Sequence, residues 1–311
     1  MSDIIDIAII GGGPAGLSAG IYGARAGYRT VMIEKMGTGG QMLLTDIIDN
    51  YPGFEDGIAG YELQDKLVKQ ATKFGLEIVY ETVTGITKAD KFFDIKTESN
   101  ILRAKSVIIA SGAKHRELGT KGEAEFAAKG VSYCGTCDAP FFRDKSVIVI
   151  GGGDSALTEA LFIAKFAKDI KIIHRKDRFR AVKSLIDQCT NSGKIEFIFN
   201  TVVEEIVGNT KVTGVRLLDS TTGKISEIQA DGVFIFVGLI PNTEFVDRSI
   251  LDQSGYIITS KHMQTGIEGL FAAGDVRSDA FRQVVCACSD GAFAAESSGK
   301  YIDQIEGNEY K

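Results

Sequence analysis

Asp6-Ile7-Ala8-Ile9-Ile10-Gly11-Gly12-Gly13-Pro14-Ala15-Gly16 is an apolar run closed by a glycine-rich turn. The same pattern returns as Ser146-Val147-Ile148-Val149-Ile150-Gly151-Gly152-Gly153-Asp154-Ser155-Ala156. Both stretches fit G-x-G-x-x-[GA], with Gly11, Gly13 and Gly16 in the first and Gly151, Gly153 and Ala156 in the second. Such glycines permit a tight turn, close approach of backbone to a pyrophosphate and close packing of helix on strand. The pyrophosphate then rests on the start of the helix (Pro14, Ala15; Asp154, Ser155), where N–H groups and the helix dipole favour negative charge. Two such turns predict an α/β chain with two dinucleotide-binding units. Cys134-Gly135-Thr136-Cys137 lies between them, which adds a thiol pair to two dinucleotides.

The residues that follow each turn distinguish the two sites. Glu34, with Lys35 beside it, ends the next apolar run, Thr30-Val31-Met32-Ile33. A carboxylate in that register accepts hydrogen bonds from an unphosphorylated adenosine ribose, so the first site is expected to hold a dinucleotide such as FAD. In the same register the second unit has His174, followed by Arg175-Lys176-Asp177-Arg178-Phe179-Arg180. Cations there suit a ribose 2′-phosphate and predict NADPH, contacted by His174, Arg175, Lys176 and Arg180. The alternative for this segment is a solvated basic loop. Residues 165–183 carry eight Lys or Arg against two Asp, in a chain whose net charge is −6. The acidic balance argues against nucleic acid or an anionic membrane as a partner.

The 311 residues suffice for two domains. No targeting segment and no membrane-length apolar run are visible, so a cytoplasmic protein is expected. Five cysteines in such a chain do not read as a secreted disulfide framework. The spacing of Cys134 and Cys137 suits a reversible disulfide. The alternatives are half a zinc site, for which no further ligand pair is spaced suitably, and small core residues. No metal is expected. Cys189, Cys286 and Cys288 read as buried small side chains.

Along the chain the pattern predicts a first unit from Asp3 to about Gly27, a helix from about Tyr61 to Phe74, and a meander of short strands from Glu77 to Thr97. A buried parallel strand follows at 106–113. The second unit carries its own meander, from Glu196 to Val207 and from Val212 to Ile228. A last strand, 269–275, precedes a helix from about Phe281 to Tyr301. Periodicity alone leaves open whether this last segment belongs to the first unit or the second.

Over essentially its whole length the chain resembles the low-molecular-weight thioredoxin reductases. The matching stretches are Gly-Gly-Gly-Pro-Ala-Gly at 11–16, Gly-Gly-Gln at 39–41, Asn-Tyr-Pro-Gly at 50–53 and Ser-Gly-Ala-Lys-His-Arg at 111–116. Cys-Gly-Thr-Cys-Asp at 134–138, His-Arg-Lys-Asp-Arg-Phe-Arg at 174–180, Pro-Asn-Thr at 241–243, Ala-Ala-Gly-Asp at 272–275 and Arg-Gln at 282–283 complete them. The resemblance implies two Rossmann-like three-layer domains, the second inserted in the first. An FAD domain would comprise 1–113 and 243–311, and an NADPH domain 114–242. It implies a homodimer that passes electrons from NADPH through FAD and a Cys134–Cys137 disulfide to a thioredoxin-like protein. Cys137 would face the flavin, Cys134 would attack the substrate disulfide, and Asp138 would carry a proton. Asp275 would contact the ribityl chain, while Gly40, Gln41, Asn50, Gly112, Arg282 and Gln283 would line the rest of the FAD site. Asp138 and Asp275 could otherwise be turn residues.

The chain departs from the family pattern at Lys176, where a second Arg is usual, and at Thr158-Glu159, where two acids are usual. Ala139-Pro140 replaces the commoner Gly. Some relatives draw electrons from NADH, ferredoxin or a deazaflavin, which is the rival reading for the donor. From a different class, a flavin redox sensor would need the same dithiol but no turnover.

Overall fold

The computed structural model describes residues 4–44 and 47–308; the expected start at Asp3 lies outside them. The chain divides into two compact units, Met1–Lys114 with Ile240–Lys311, and His115–Leu239. The last segment therefore returns to the first unit, as its pairing shows: Leu270, Phe271 and Ala272 run parallel to Val107, Ile108 and Ile109. The return falls at 239/240, earlier than 242/243. The reason is that Asn242 donates to Gly112 O (3.0 Å) and Ser111 O (2.8 Å), and Thr243 Oγ1 to Gly255 O (2.9 Å).

In the first unit the parallel strands run in the order Glu77–Tyr80, Thr30–Glu34, Ile5–Ile10, Ile101–Ile109, Leu270–Ala272. The strand Ile101–Ile109 starts earlier than expected and does two jobs. Its second half is parallel to its neighbours, and its first half pairs antiparallel with Phe92–Thr97, which pairs with Val83–Ala89. The strand Glu77–Tyr80 is thus not part of the meander; it pairs parallel with Thr30–Glu34. Both faces of the sheet are covered, which is why the central stretches of its inner strands, 7–10, 31–33 and 107–109, are continuous buried apolar runs. Ile7, Ile9, Met32 and Ile108 face the helices Pro14–Arg25, Gly60–Lys73 and Val284–Glu306, while Ala8, Ile10, Val31, Val107 and Ile109 face the other side. Each fully buried Ile contributes about 1.5–3 kcal/mol relative to exposure.

The second unit repeats this plan. Its parallel sheet runs Val131–Ser132, Gly232–Phe236, Ser146–Gly151, Asp169–Ile173, Ile195–Ile198. The strand Ile195–Ile198 again belongs to this sheet and not to the meander, which consists of Thr201–Gly208, Val212–Asp219 and Ile225–Gln229. Val147 and Val149 face the helices Asp154–Ile163 and Lys183–Asn191, and Ile148 and Ile150 face the meander. Two Rossmann-type α/β domains result, the second inserted in the first. Among the described residues no helix is long and apolar enough to cross a membrane.

Candidate active site

The first turn is built on backbone that only glycine tolerates. Gly11 has φ +105°, and a Cβ on it would meet Ala110 O at 2.5 Å. A Cβ on Gly16 would come within 1.9 Å of Gly11 O. Gly13 faces open space and precedes Pro14 at the start of the helix, whose first turn has no side-chain cap. The N–H groups there can therefore meet an anion. Glu34 Oε2 accepts from Gly12 N–H (2.6 Å) and Oε1 from Met36 N–H (3.2 Å), so its carboxylate is fixed beside the turn; Lys35 next to it is exposed.

The other residues expected around the same cofactor lie in the same unit. Gln41, in the short helix Gly40–Leu44, donates to Ala113 O. Asn50 Nδ2 donates to Gln283 Oε1 (3.0 Å), which joins a loop to the residue capping the last helix. Gly112 has φ +67° and is tied to Asn242. Arg282 lies over the Tyr256 ring at 4.8 Å. Burial pushes the Asp275 carboxyl up, while Arg282 pulls it down and Asp290 adds to the rise. Sequence reasoning missed what holds that turn: Asp290 Oδ2 accepts from Gly274 N–H (3.1 Å) and from Arg277 Nη1 (2.6 Å). Only the return of the last helix brings Asp290 to Gly274, so no local signal announces it.

The second turn achieves a similar path differently. Ala156 stands where the first turn has Gly16, and Gly151 is required because a Cβ there would meet Ala156 Cβ at 2.6 Å and Phe236 O at 2.7 Å. His174 is 9% exposed and packs where a Cβ on Gly152 would reach, 2.2 Å from its ring. Burial pulls its pKa down, so the ring is neutral at pH 7. Its Nε2 is buried without a hydrogen-bond partner. Phe179, also 9% exposed, anchors the basic segment among His174, Phe197 and Phe199. Arg180 N–H donates to Gly152 O (2.8 Å), and its Nη2 lies 4.0 Å from where a Gly153 Cβ would be. Arg175, Lys176 and Arg180 are exposed, on a segment pinned at both ends rather than loose. Asp154 is turned toward this segment and accepts from Val182 N–H (2.8 Å); Ser155 is exposed.

Cys134 and Cys137 form a disulfide with Cα atoms 5.3 Å apart, in the same unit as the second turn. Cys134 caps the single helical turn Gly135–Asp138, with Cys137 N–H directed at Cys134 Sγ (3.2 Å). Asp138 follows directly, and its Oδ2 accepts from Ser132 Oγ (2.6 Å). Glu159 lies beneath the turn: a Cβ on Gly135 would meet Glu159 Oε2 at 2.2 Å. Burial pushes the Glu159 carboxyl up, and the Thr136 and Gly135 amides partly offset this. Tyr133 stacks on His115 (4.9 Å) and donates to Glu123 Oε1 (2.9 Å), which anchors the residue just before the disulfide. A sulfur pair fixed on one helical turn, with an acid next in sequence held to Ser132, can exchange with another disulfide and is served by a group able to carry a proton. Cys189 is fully buried, whereas Cys286 and Cys288 are only half-buried, which corrects the expectation of core packing for these two. They sit in the first turns of the last helix, where one side faces out; Cys288 Sγ lies 3.8 Å from Tyr51 Oη.

The pyridine nucleotide-disulphide oxidoreductase family profile matches residues 5–291. A thioredoxin reductase of Treponema pallidum (strain Nichols) is 46% identical over 301 residues, covering 97% of this chain and 98% of that one. The thioredoxin reductase of Bacillus subtilis (strain 168) is 42% identical, covering 97% and 96%. The crystal structure of thioredoxin reductase from Streptococcus pyogenes MGAS5005 superposes with a TM-score of 0.94 at 42% identity, covering 98% of this chain and 100% of that one.

Proposed function

The chain belongs to the pyridine nucleotide-disulphide oxidoreductases, among the thioredoxin reductases, and we propose that it passes electrons from NADPH through FAD and the Cys134–Cys137 disulfide to oxidised thioredoxin. Membership implies a flavin and a pyridine nucleotide. The uncapped helix start at Gly13–Pro14, the fixed Glu34 and the buried Asp275 suit FAD; the pinned cations Arg175, Lys176 and Arg180 suit NADPH. The two cofactors supply hydride transfer when bound. The observation that carries the reading is the disulfide itself, set beside Asp138 in the unit with the second turn.

The remaining chemistry belongs to the chain. In the dithiol state the Cys134 thiolate attacks one sulfur of the substrate disulfide, and the substrate S–S bond breaks. Its leaving thiolate takes up a proton. Cys137 then attacks Cys134 of the mixed disulfide, restoring the Cys134–Cys137 bond and releasing the second substrate sulfur, which is also protonated. Two electrons and two protons reach the substrate, and Asp138 is the group placed to hold a proton between the two sulfur steps. We extend the proposal to a homodimer working in the cytoplasm, for which light scattering of the purified protein tests the first part.

The test is mutational. Cys134→Ser and Cys137→Ser are each expected to abolish thioredoxin reduction while NADPH still bleaches the flavin. Appreciable turnover by either variant would overturn the thiol mechanism. Recovery of FMN, or bleaching by reduced ferredoxin but not by millimolar NADPH, would overturn the cofactor assignment.

A further inference from the structure

Ser132 is 4% exposed and lies at the end of the short strand Val131–Ser132. Its hydroxyl meets three groups of the redox turn: Asp138 Oδ2 at 2.6 Å, Cys134 N–H at 3.1 Å and Cys134 O at 3.2 Å. A hydroxyl has one proton and two lone pairs. Against an ionised Asp138 the proton goes to the shorter, charge-assisted contact with Oδ2, and a lone pair takes the Cys134 N–H. Against a protonated Asp138 the roles reverse. The acid's O–H donates to Ser132 Oγ, which keeps the Cys134 N–H and turns its own proton to Cys134 O. Both protonation states of Asp138 are thus matched without leaving a buried hydrogen-bonding group unpaired.

We propose that Ser132 is the positioning residue of the proton-carrying acid, a rotatable hydroxyl that holds Asp138 to the backbone of Cys134 whether or not the acid carries its proton. The inference rests on the proposed role of Asp138 in disulfide exchange. Nothing in the sequence around the cysteine pair marks Ser132, because its three partners converge only once the strand end and the turn are folded together.

The decisive experiment is a double-mutant cycle of thioredoxin turnover against pH, using wild type, Ser132→Ala, Asp138→Asn and the double variant, with flavin content and melting temperature as the check on folding. Ser132→Ala is expected to lower kcat about 5- to 30-fold and to move the acidic limb of the profile up by roughly one pH unit, because the carboxylate loses a donor. Ser132→Thr, which keeps the hydroxyl, should restore the wild-type limb; if it does not fold, the cycle alone decides. In the Asp138→Asn background the Ser132→Ala change should cost no more than about twofold, since its effect runs through the acid. Equal losses in both backgrounds, or an unmoved limb in Ser132→Ala, would overturn the inference and leave the role of Asp138 standing. Full activity of Asp138→Asn alone would instead overturn that role and the inference with it.

Discussion

The two glycine turns occupy equivalent places in their units, yet they are held by different contacts. In the first, Gly11 takes a left-handed φ of +105° and Gly16 lies against its carbonyl, so neither position has room for a methyl group. In the second, Gly151 is not in that conformation, and Ala156 fits with its Cβ facing Gly151. The middle glycine contacts the end of the next strand in both, through the Glu34 carboxylate on Gly12 and the His174 ring on Gly152. One scaffold thus presents a fixed anion acceptor in one unit and a neutral ring beside exposed cations in the other. The difference teaches that the motif specifies a path for the chain, while the residue at the end of the second strand sets the charge beside it, which under the proposed function would select the ribose.

The comparison is broken most severely by exchanging the glycine and alanine between turns. Gly16→Ala would place a methyl group 1.9 Å from Gly11 O, and we expect a loss of about 3 kcal/mol or more, with flavin-depleted protein on purification. Ala156→Gly, at a site 1% exposed, should cost only about 1–2 kcal/mol. Thermal melts and flavin content check both. A Gly16→Ala protein that keeps its flavin and melting temperature would show that the two turns are interchangeable after all.

Acid separates the units next. Burial holds His115 down at about 4, and it also lowers His174. The unfolded chain then binds more protons than the folded one between pH 6.5 and 4, so these groups stabilise the second unit at neutral pH and that stability is lost as pH falls. For His115 the loss is about 2–3 kcal/mol. Glu159, whose carboxyl is raised by burial, works in the opposite sense within the same unit, as Asp275 does in the first. Hydrogen exchange between pH 7 and 4.5 is therefore expected to show earlier opening of 115–239 than of the first unit, and His115→Gln should flatten the difference. Uniform loss of protection would remove it.

The cations of the second turn predict a smaller effect. Arg180→Ala should raise the KM for NADPH about 5- to 30-fold, the value of one exposed charge-assisted contact, and leave NADH use almost unchanged. Steady-state kinetics with both nucleotides checks this. The smallest change is expected of Lys176→Arg, which supplies a planar fork at an exposed site and should leave NADPH use intact or improved within about threefold. An equal rise in KM for both nucleotides in Arg180→Ala would mean the segment does not read the 2′-phosphate.

Strands bordering the turns were legible because each is buried on both faces, and such strands are continuous apolar runs. Glu77–Tyr80 and Ile195–Ile198 were misplaced in the same way: each precedes a meander, and each instead completes a parallel sheet. Four alternating residues read alike whether their partner is parallel or antiparallel, because the partner lies elsewhere in the chain. The cysteine pair, Glu34 and the basic segment were legible from type and spacing, whereas Asp138 entered only through the family resemblance. Ser132, Glu159 and Asp290 were not legible, since each acts through a neighbour that folding alone supplies.

The sequence by itself determined the two strand–turn–helix units, the spacing of the thiol pair and the opposite charge at the two strand ends, because these are local properties of chain stiffness, apolar period and side-chain type. The tertiary structure alone decided that 240–311 returns to the first sheet, that the basic segment is pinned by Phe179, and that Ser132 meets Asp138 at Cys134. Those outcomes depend on contacts between residues distant in sequence or on the three-dimensional path of a turn, and burial selects them only when the whole chain has closed around its two cores.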